Sequence, residues 1–274
     1  MNKLISSLIL SVSILAMACD TIPEDKQFLA EKKSVEEIKM LGRSVLLEDY
    51  TGIWCTNCPR AAAAAHETQK ILSKDVLVIV SIHAGVFSTN SPFNTSVGDE
   101  YQKRFYPENS AYPAGIISRT KFNNKLVNIQ DDSWKTDILA MLFSEIPNVK
   151  LSLQNQYNDI DSTLTVTSSV VSNEKIEQEL KLQLWLTESK IKHFQVNGTP
   201  KPNEYIHNHV LRDAINGVWG DTVQAKQGEK SVYTNTYSLK GKIWEPKNMD
   251  VVGFLYDAKT MQVLYVTEIK LINN

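Results

Sequence analysis

Cys55 and Cys58, separated by two residues, are the side chains of this sequence best suited to covalent chemistry. A Cys-x-x-Cys pair can close a disulfide, and its thiolate can attack a foreign disulfide through a mixed intermediate. Trp54-Cys55-Thr56-Asn57-Cys58-Pro59 lies between a strand-like run and an alanine-rich run, so it reads as a strand-to-helix turn. At a helix start, unpaired N–H groups and the macrodipole favour a thiolate. Cys55 is therefore the expected attacking thiol, and Cys58, one turn along, the resolving thiol. Two other readings stand beside this one. The pair could be an inert disulfide of an oxidising compartment, although a loop this short staples little. It could also be half a zinc site, for which His66 and His83 are the nearest further ligands in sequence. His66 has a structural reading on the solvated side of a helix, and His83 at the end of a buried strand. His207 and His209 would share one face of an extended segment, with structural hydrogen bonding the simplest role.

The elements that must position the dithiol follow from local pattern. Arg43 to Tyr50 reads as a strand, and a helix follows the cysteines to about Leu72. Val76 to Ile82 is a β-branched run expected to be buried on both faces. Gly85 to Pro107 lacks strand periodicity and reads as a lid-like connection, with a short helix from Asp99 to Phe105. Ile116 to Ser118 leads to a tight hairpin at Phe122 to Val127, and Asp132 to Ile146 reads as an amphipathic helix. Beyond Pro147 six segments read as strands, starting at Val149, Leu164, Leu180, Val232, Val251 and Val263. The Leu180–Leu186 run alternates apolar and other residues, as a half-buried strand does. An antiparallel sandwich of broadly immunoglobulin-like kind is expected there.

The order strand, helix, strand, crossover, hairpin, helix resembles the thioredoxin superfamily, and the dithiol turn strengthens the resemblance. It implies further site residues. Trp54 precedes the pair, as in thioredoxins. Asp49 falls at the superfamily's buried acid position, where a desolvated carboxyl takes and returns the resolving thiol's proton. Tyr112-Pro113 falls where thioredoxins place a cis-proline, which leaves a backbone edge for substrate. The intervening Thr56-Asn57 departs from the thioredoxin Gly-Pro, so the redox potential does not carry over.

Leu47-Glu48-Asp49-Tyr50-Thr51-Gly52, the Cys58-Pro59 step, Tyr112-Pro113-Ala114-Gly115, His207-Asn208-His209-Val210-Leu211-Arg212 and Trp219-Gly220 together resemble another family. It is that of the "outer-membrane protein twenty-eight"-related lipoproteins. The resemblance implies an α/β thioredoxin-like domain followed by an all-β antiparallel domain, held at the outer membrane.

The N-terminus supports export. A basic start, an uncharged apolar stretch from Leu4 to Met17 and a small-residue end at Ala18 read as a signal peptide. Cys19 directly after the cut is the candidate lipidation site, although Leu15 lies one place too early for the usual lipobox. Asp20 points toward inner-membrane retention under enteric sorting rules, whereas the family resemblance points to the outer membrane. The expected division is residues 1–18 as signal peptide, 19–33 as lipidated cysteine and tether, 34–147 as the thioredoxin-like part and 148–274 as the sandwich.

A formal charge of −2 and the absence of a basic, aromatic-laced tract argue against nucleic-acid binding. Two functions remain. The first is an envelope thiol–disulfide oxidoreductase acting on protein cysteines, with no diffusible cofactor and a membrane contact through the lipid. The second is a surface binding lipoprotein whose β part recognises a partner, the Ile191–Lys230 connection supplying a recognition loop and the first part serving as scaffold.

Overall fold

A computed structural model describes residues 36–37, 42–108, 111–145, 148–198 and 202–272. The signal peptide, Cys19 and the tether lie outside the described residues.

The first strand, β1 (Val45–Thr51), is buried along its whole length, and so is β2 (Leu77–His83), its parallel neighbour. Between them runs α1 (Cys58–Leu72), which starts with Pro59 near its N-terminus and buries Ala61, Ala65 and Leu72. Small alanines let this helix lie close against the sheet. Next come α2 (Ser96–Phe105), β3 (Ala114–Ile117) and α3 (Trp134–Leu142). Thr95 caps α2 by accepting from the Gly98 N–H, a side-chain cap of the usual kind. The β3 strand pairs antiparallel with β1. The expected hairpin forms where Phe122 faces Lys125, with Asn123 and Asn124 both at positive φ as a type I′ turn requires.

The remainder is almost all strand. The meander β4 (Val149–Asn158), β5 (Thr163–Ser172) and β11 (Lys230–Ser238) makes a three-stranded sheet in the order β11-β5-β4. Short β7 (Ile191–His193) and β8 (Tyr205–His207) pair with each other as a two-stranded sheet. The other strands of this half are β6 (Leu180–Glu188), β9 (Val210–Ala214), β10 (Asp221–Val223), β12 (Met249–Asp257) and β13 (Val263–Lys270). They join β1, β2 and β3 in one mixed sheet, ordered β13-β12-β6-β9-β2-β1-β3, with β10 on β6.

The two parts read from the sequence therefore share a sheet. The link is β9, antiparallel to β6 and bridged in parallel to β2 at Ser81 and Val210. Alternation along β6 shows how both faces are used. Leu182, Leu184 and Leu186 pack against the meander with Leu151, Leu164 and Val166, closing a sandwich-like core. Trp185 turns to the opposite face, among Tyr101, Phe254 and Leu46. On the sandwich side, but at the β1–β2 end, α1 and α3 cover Val45, Leu47 and Ile79.

The connection from Ile191 to Lys230 is not one long loop. It holds four strands, β7 to β10, of which β9 lies inside the main sheet. Strands this short carry no alternation long enough to read.

Candidate disulfide site

Cys55 and Cys58 form a disulfide, with their Cα atoms 5.4 Å apart. Cys55 does not start the helix, contrary to expectation. It lies in the turn after β1, where its N–H donates to the Gly52 carbonyl (3.0 Å), and the helix opens at Cys58. Nor is Cys55 exposed: the two residues retain 1% and 2% of their accessible surface. In this conformation the disulfide is withdrawn from the solvent that would support a thiolate.

The cover comes from the other half of the chain. The segment from Phe194 to Asn197, which follows β7, lies across the cysteine turn. The Val196 N–H donates to the Ile53 carbonyl (2.9 Å). Gln195 Nε2, on a fully buried side chain, donates to the carbonyls of Gly52 (3.2 Å) and Cys55 (3.0 Å). Asn197 Nδ2 reaches the Thr56 carbonyl at 3.5 Å. Trp54 is half exposed, packs its ring 5.1 Å from that of Phe194 and donates Nε1 to the Thr89 carbonyl. It packs against the same cover.

Asp49 lies on β1 on the helix side of the sheet, in the alternation set by Val45 and Leu47. It and Cys58 line the same small void of about 30 Å³, together with Ser81, His83 and His207. Its Oδ1 has no hydrogen-bond partner among the described residues. Burial raises its carboxyl to about 7, and the neighbouring Asp131 carboxylate adds to the shift. A carboxyl in this state sits between its charged and neutral forms near neutrality, as a proton relay requires.

The Tyr112–Pro113 bond is cis. Pro113 directly precedes β3, whose Ala114 and Gly115 face Tyr50 and Asp49 of β1. This register leaves Pro113 at the Thr51 end of β1, where the cysteine turn begins. Tyr112 belongs to the same buried cluster as both cysteines and packs 5.1 Å from Phe87.

The five histidines of the chain lie against one another in two groups, His66 with His209, and His83 and His193 with His207, the second group bordering Cys58 through His83 and His207. His83 and His207 have ring centroids 5.5 Å apart, and His193 lies 6.4 Å from His207. His207 Nε2 is 3.2 Å from the Phe194 carbonyl, which ties β8 to the cover. His209 does not share a face with His207. It takes a left-handed φ of 57°, which ends β8, and its ring turns toward His66 on α1. Burial holds His83 well below its ordinary range and lowers His207 and His209 to about 4, so all three are neutral at pH 7. Among the described residues no group of three or more His, Cys, Asp or Glu is arranged to hold a metal ion.

The cover segment had no signal in the sequence. Phe194 to Asn197 carries no motif, and its role arises only because β9 enters the sheet beside β2.

No curated protein matches this chain. Among solved structures it is similar to "HBP35 of Porphyromonas gingivalis", with a TM-score of 0.66 and 16% identity over 84% of this chain and 75% of that one. That likeness is one of fold. A domain of the outer membrane lipoprotein Omp28 from Porphyromonas gingivalis matches at 25% identity, over 46% of this chain and 89% of that one, with a TM-score of 0.33. The family model described as "Outer membrane protein Omp28" matches residues 99–274, well over half the chain. This chain belongs to the Omp28 outer membrane protein family, and its place is the cell envelope, at the outer membrane.

Proposed function

We propose that this protein is an outer-membrane lipoprotein that works by binding, held by an acylated Cys19, with its thioredoxin-like part (34–147) as scaffold. The observation that carries this reading is the burial of both sulfurs beneath Phe194–Asn197. Thiol–disulfide exchange needs in-line approach of a foreign sulfur, and the covered turn offers none. The disulfide then acts as a local brace, fixing the turn on which the cover rests. Membership of an outer-membrane family and the run ending at Cys19 support the anchor. The first test is turnover. Purified protein should neither accelerate insulin reduction nor oxidise a dithiol peptide. Turnover in either direction that Cys55→Ser abolishes would overturn the reading.

One feature favours a second reading, as an envelope oxidoreductase whose cover lifts when a protein client docks. Asp49 sits beside Cys58 with its carboxyl raised to about 7, as a relay for the resolving thiol would be. In that case Cys55 attacks, Cys58 resolves and Pro113 borders the client's backbone. Mixed disulfides captured on Cys58→Ser, and absent on Cys55→Ser, would establish it.

A further inference from the structure

The end of α2, the turn after β3 and the β12–β13 connection enclose a cleft of about 510 Å³. Its walls carry three cations, Arg104, Arg119 and Lys121, and no carboxylate. Its apolar surface comes from Phe105, Leu126 and Met261. In a chain of net charge −2, three basic side chains around one concavity are a local reversal of sign.

Arg119 is the built part of this cleft. It is 95% removed from solvent, at 5% exposure, although a guanidinium is costly to bury. Two consecutive residues in left-handed backbone, Ser118 (φ 45°) and Arg119 (φ 53°), turn its side chain inward. Glu48 accepts from Nε (3.1 Å) and from Nη2 (3.0 Å), and the guanidinium carbon lies 4.4 Å from the centre of the Phe105 ring. Nη1 makes no hydrogen bond among the described residues. Arg119 therefore borders the cleft with its Nη1 nitrogen uncommitted and its position fixed, its side chain 1% exposed. Arg104 and Lys121 are exposed and form no ion pair among the described residues. On the β12–β13 side, Asp257 Oδ1 accepts from the N–H groups of Lys259 and Thr260. Behind Arg119, Glu48 offsets one of the three positive charges.

We propose that this cleft binds a small amphipathic anion, its acid group held by Arg104, Arg119 and Lys121 and its apolar body laid against Phe105, Leu126 and Met261. The cleft is of drug-sized volume, and a few polar groups in an otherwise apolar wall are what orient a small ligand. A planar guanidinium already fixed by Glu48 loses little freedom when it takes a second anion. The proposal rests on the binding reading of the protein and gives that reading a ligand class.

The test uses the full chain carrying Cys19→Ala, which needs no detergent, and calorimetric titration with dodecanoate. One-to-one binding is expected. It should weaken by about tenfold in the double variant Arg104→Ala/Lys121→Ala, since two charge contacts are lost, and weaken further with added salt. Both positions are exposed, so the variant should unfold at the same temperature as its parent. The idea fails if dodecanoate does not bind, or if the double variant binds equally well. Equal affinity for dodecyltrimethylammonium would also sink it, because charge would then play no part. Equal affinity for acetate would remove the apolar wall from the site and overturn it too. Insulin turnover bears on the binding reading alone and leaves dodecanoate affinity untouched, so the two failures are distinguishable.

Discussion

At the scale of single residues, Asp49 is the group whose chemistry the structure constrains most. Its folded carboxyl titrates at about 7, above the ordinary carboxyl value it has when unfolded. The native state therefore binds the extra proton more tightly. Its stabilising effect is fully present below about pH 4 and is lost as pH rises through 7. Asp49→Asn removes the buried charge at the same size. Relative to wild type, it should stabilise the protein by roughly 2–4 kcal/mol at pH 8 and by little at pH 4. Urea unfolding at the two pH values measures this, and an equal effect at both would refute it. The neutral histidines titrate in both proteins and cancel in the difference. Gly52 is a second such residue. A Cβ there would lie 2.2 Å from the Phe87 carbonyl oxygen, which is backbone and cannot yield cheaply. Gly52→Ala should cost about 2 kcal/mol or more, read as a lowered urea midpoint. The chemical residues were the most legible part of the sequence. The Cys-x-x-Cys spacing, Asp49 and Tyr112-Pro113 all converge on one end of β1. Burial of the sulfurs was not legible, because the residues that cause it lie some 140 positions away.

At the scale of elements, legibility followed how much of an element's environment its own residues declare. β1 and β2 are buried along their whole length, and the Leu77–Val80 run of β2 is continuously apolar because both faces are covered; the sequence places both strands within a residue or two of their ends. The Asn123-Asn124 turn declared its own φ values. α3 is shorter than its pattern suggested, running only from Trp134 to Leu142 behind a 3₁₀ turn at Asp131–Ser133. β7 to β10 were hidden, since strands of three to five residues owe their existence to neighbours and not to propensity. The segment they carry over the disulfide is held by few bonds, and Gln195 makes two of them. Gln195→Ala should loosen that cover without unfolding the sheet. The disulfide should then be reduced about fivefold faster by dithiothreitol, as expected for the net loss of a typical hydrogen bond. An unchanged rate would mean that Gln195 does not hold the cover shut.

At the scale of the whole molecule, the shared sheet makes the two parts mechanically one. β9 stands between β2 and β6, and the buried Arg119–Glu48 pair of the first part sits among Trp185, Phe254 and Tyr256 of the second. Removing either part would open a sheet edge, and removing the second would strip the aromatic cover from that pair. Unfolding followed by tryptophan fluorescence and by far-ultraviolet dichroism should therefore give one coincident transition. Two separated transitions would show that the parts are independent.

The central claim is that the Cys55–Cys58 disulfide is closed off in the native protein and serves a binding lipoprotein as a brace. The direct measurement is its rate of reduction by dithiothreitol, trapped by alkylation and read by mass spectrometry, in the native chain and in guanidinium. Closure predicts reduction about a hundredfold slower or more in the native state, because the cover must first open. Native and unfolded rates within a few-fold of each other would contradict it.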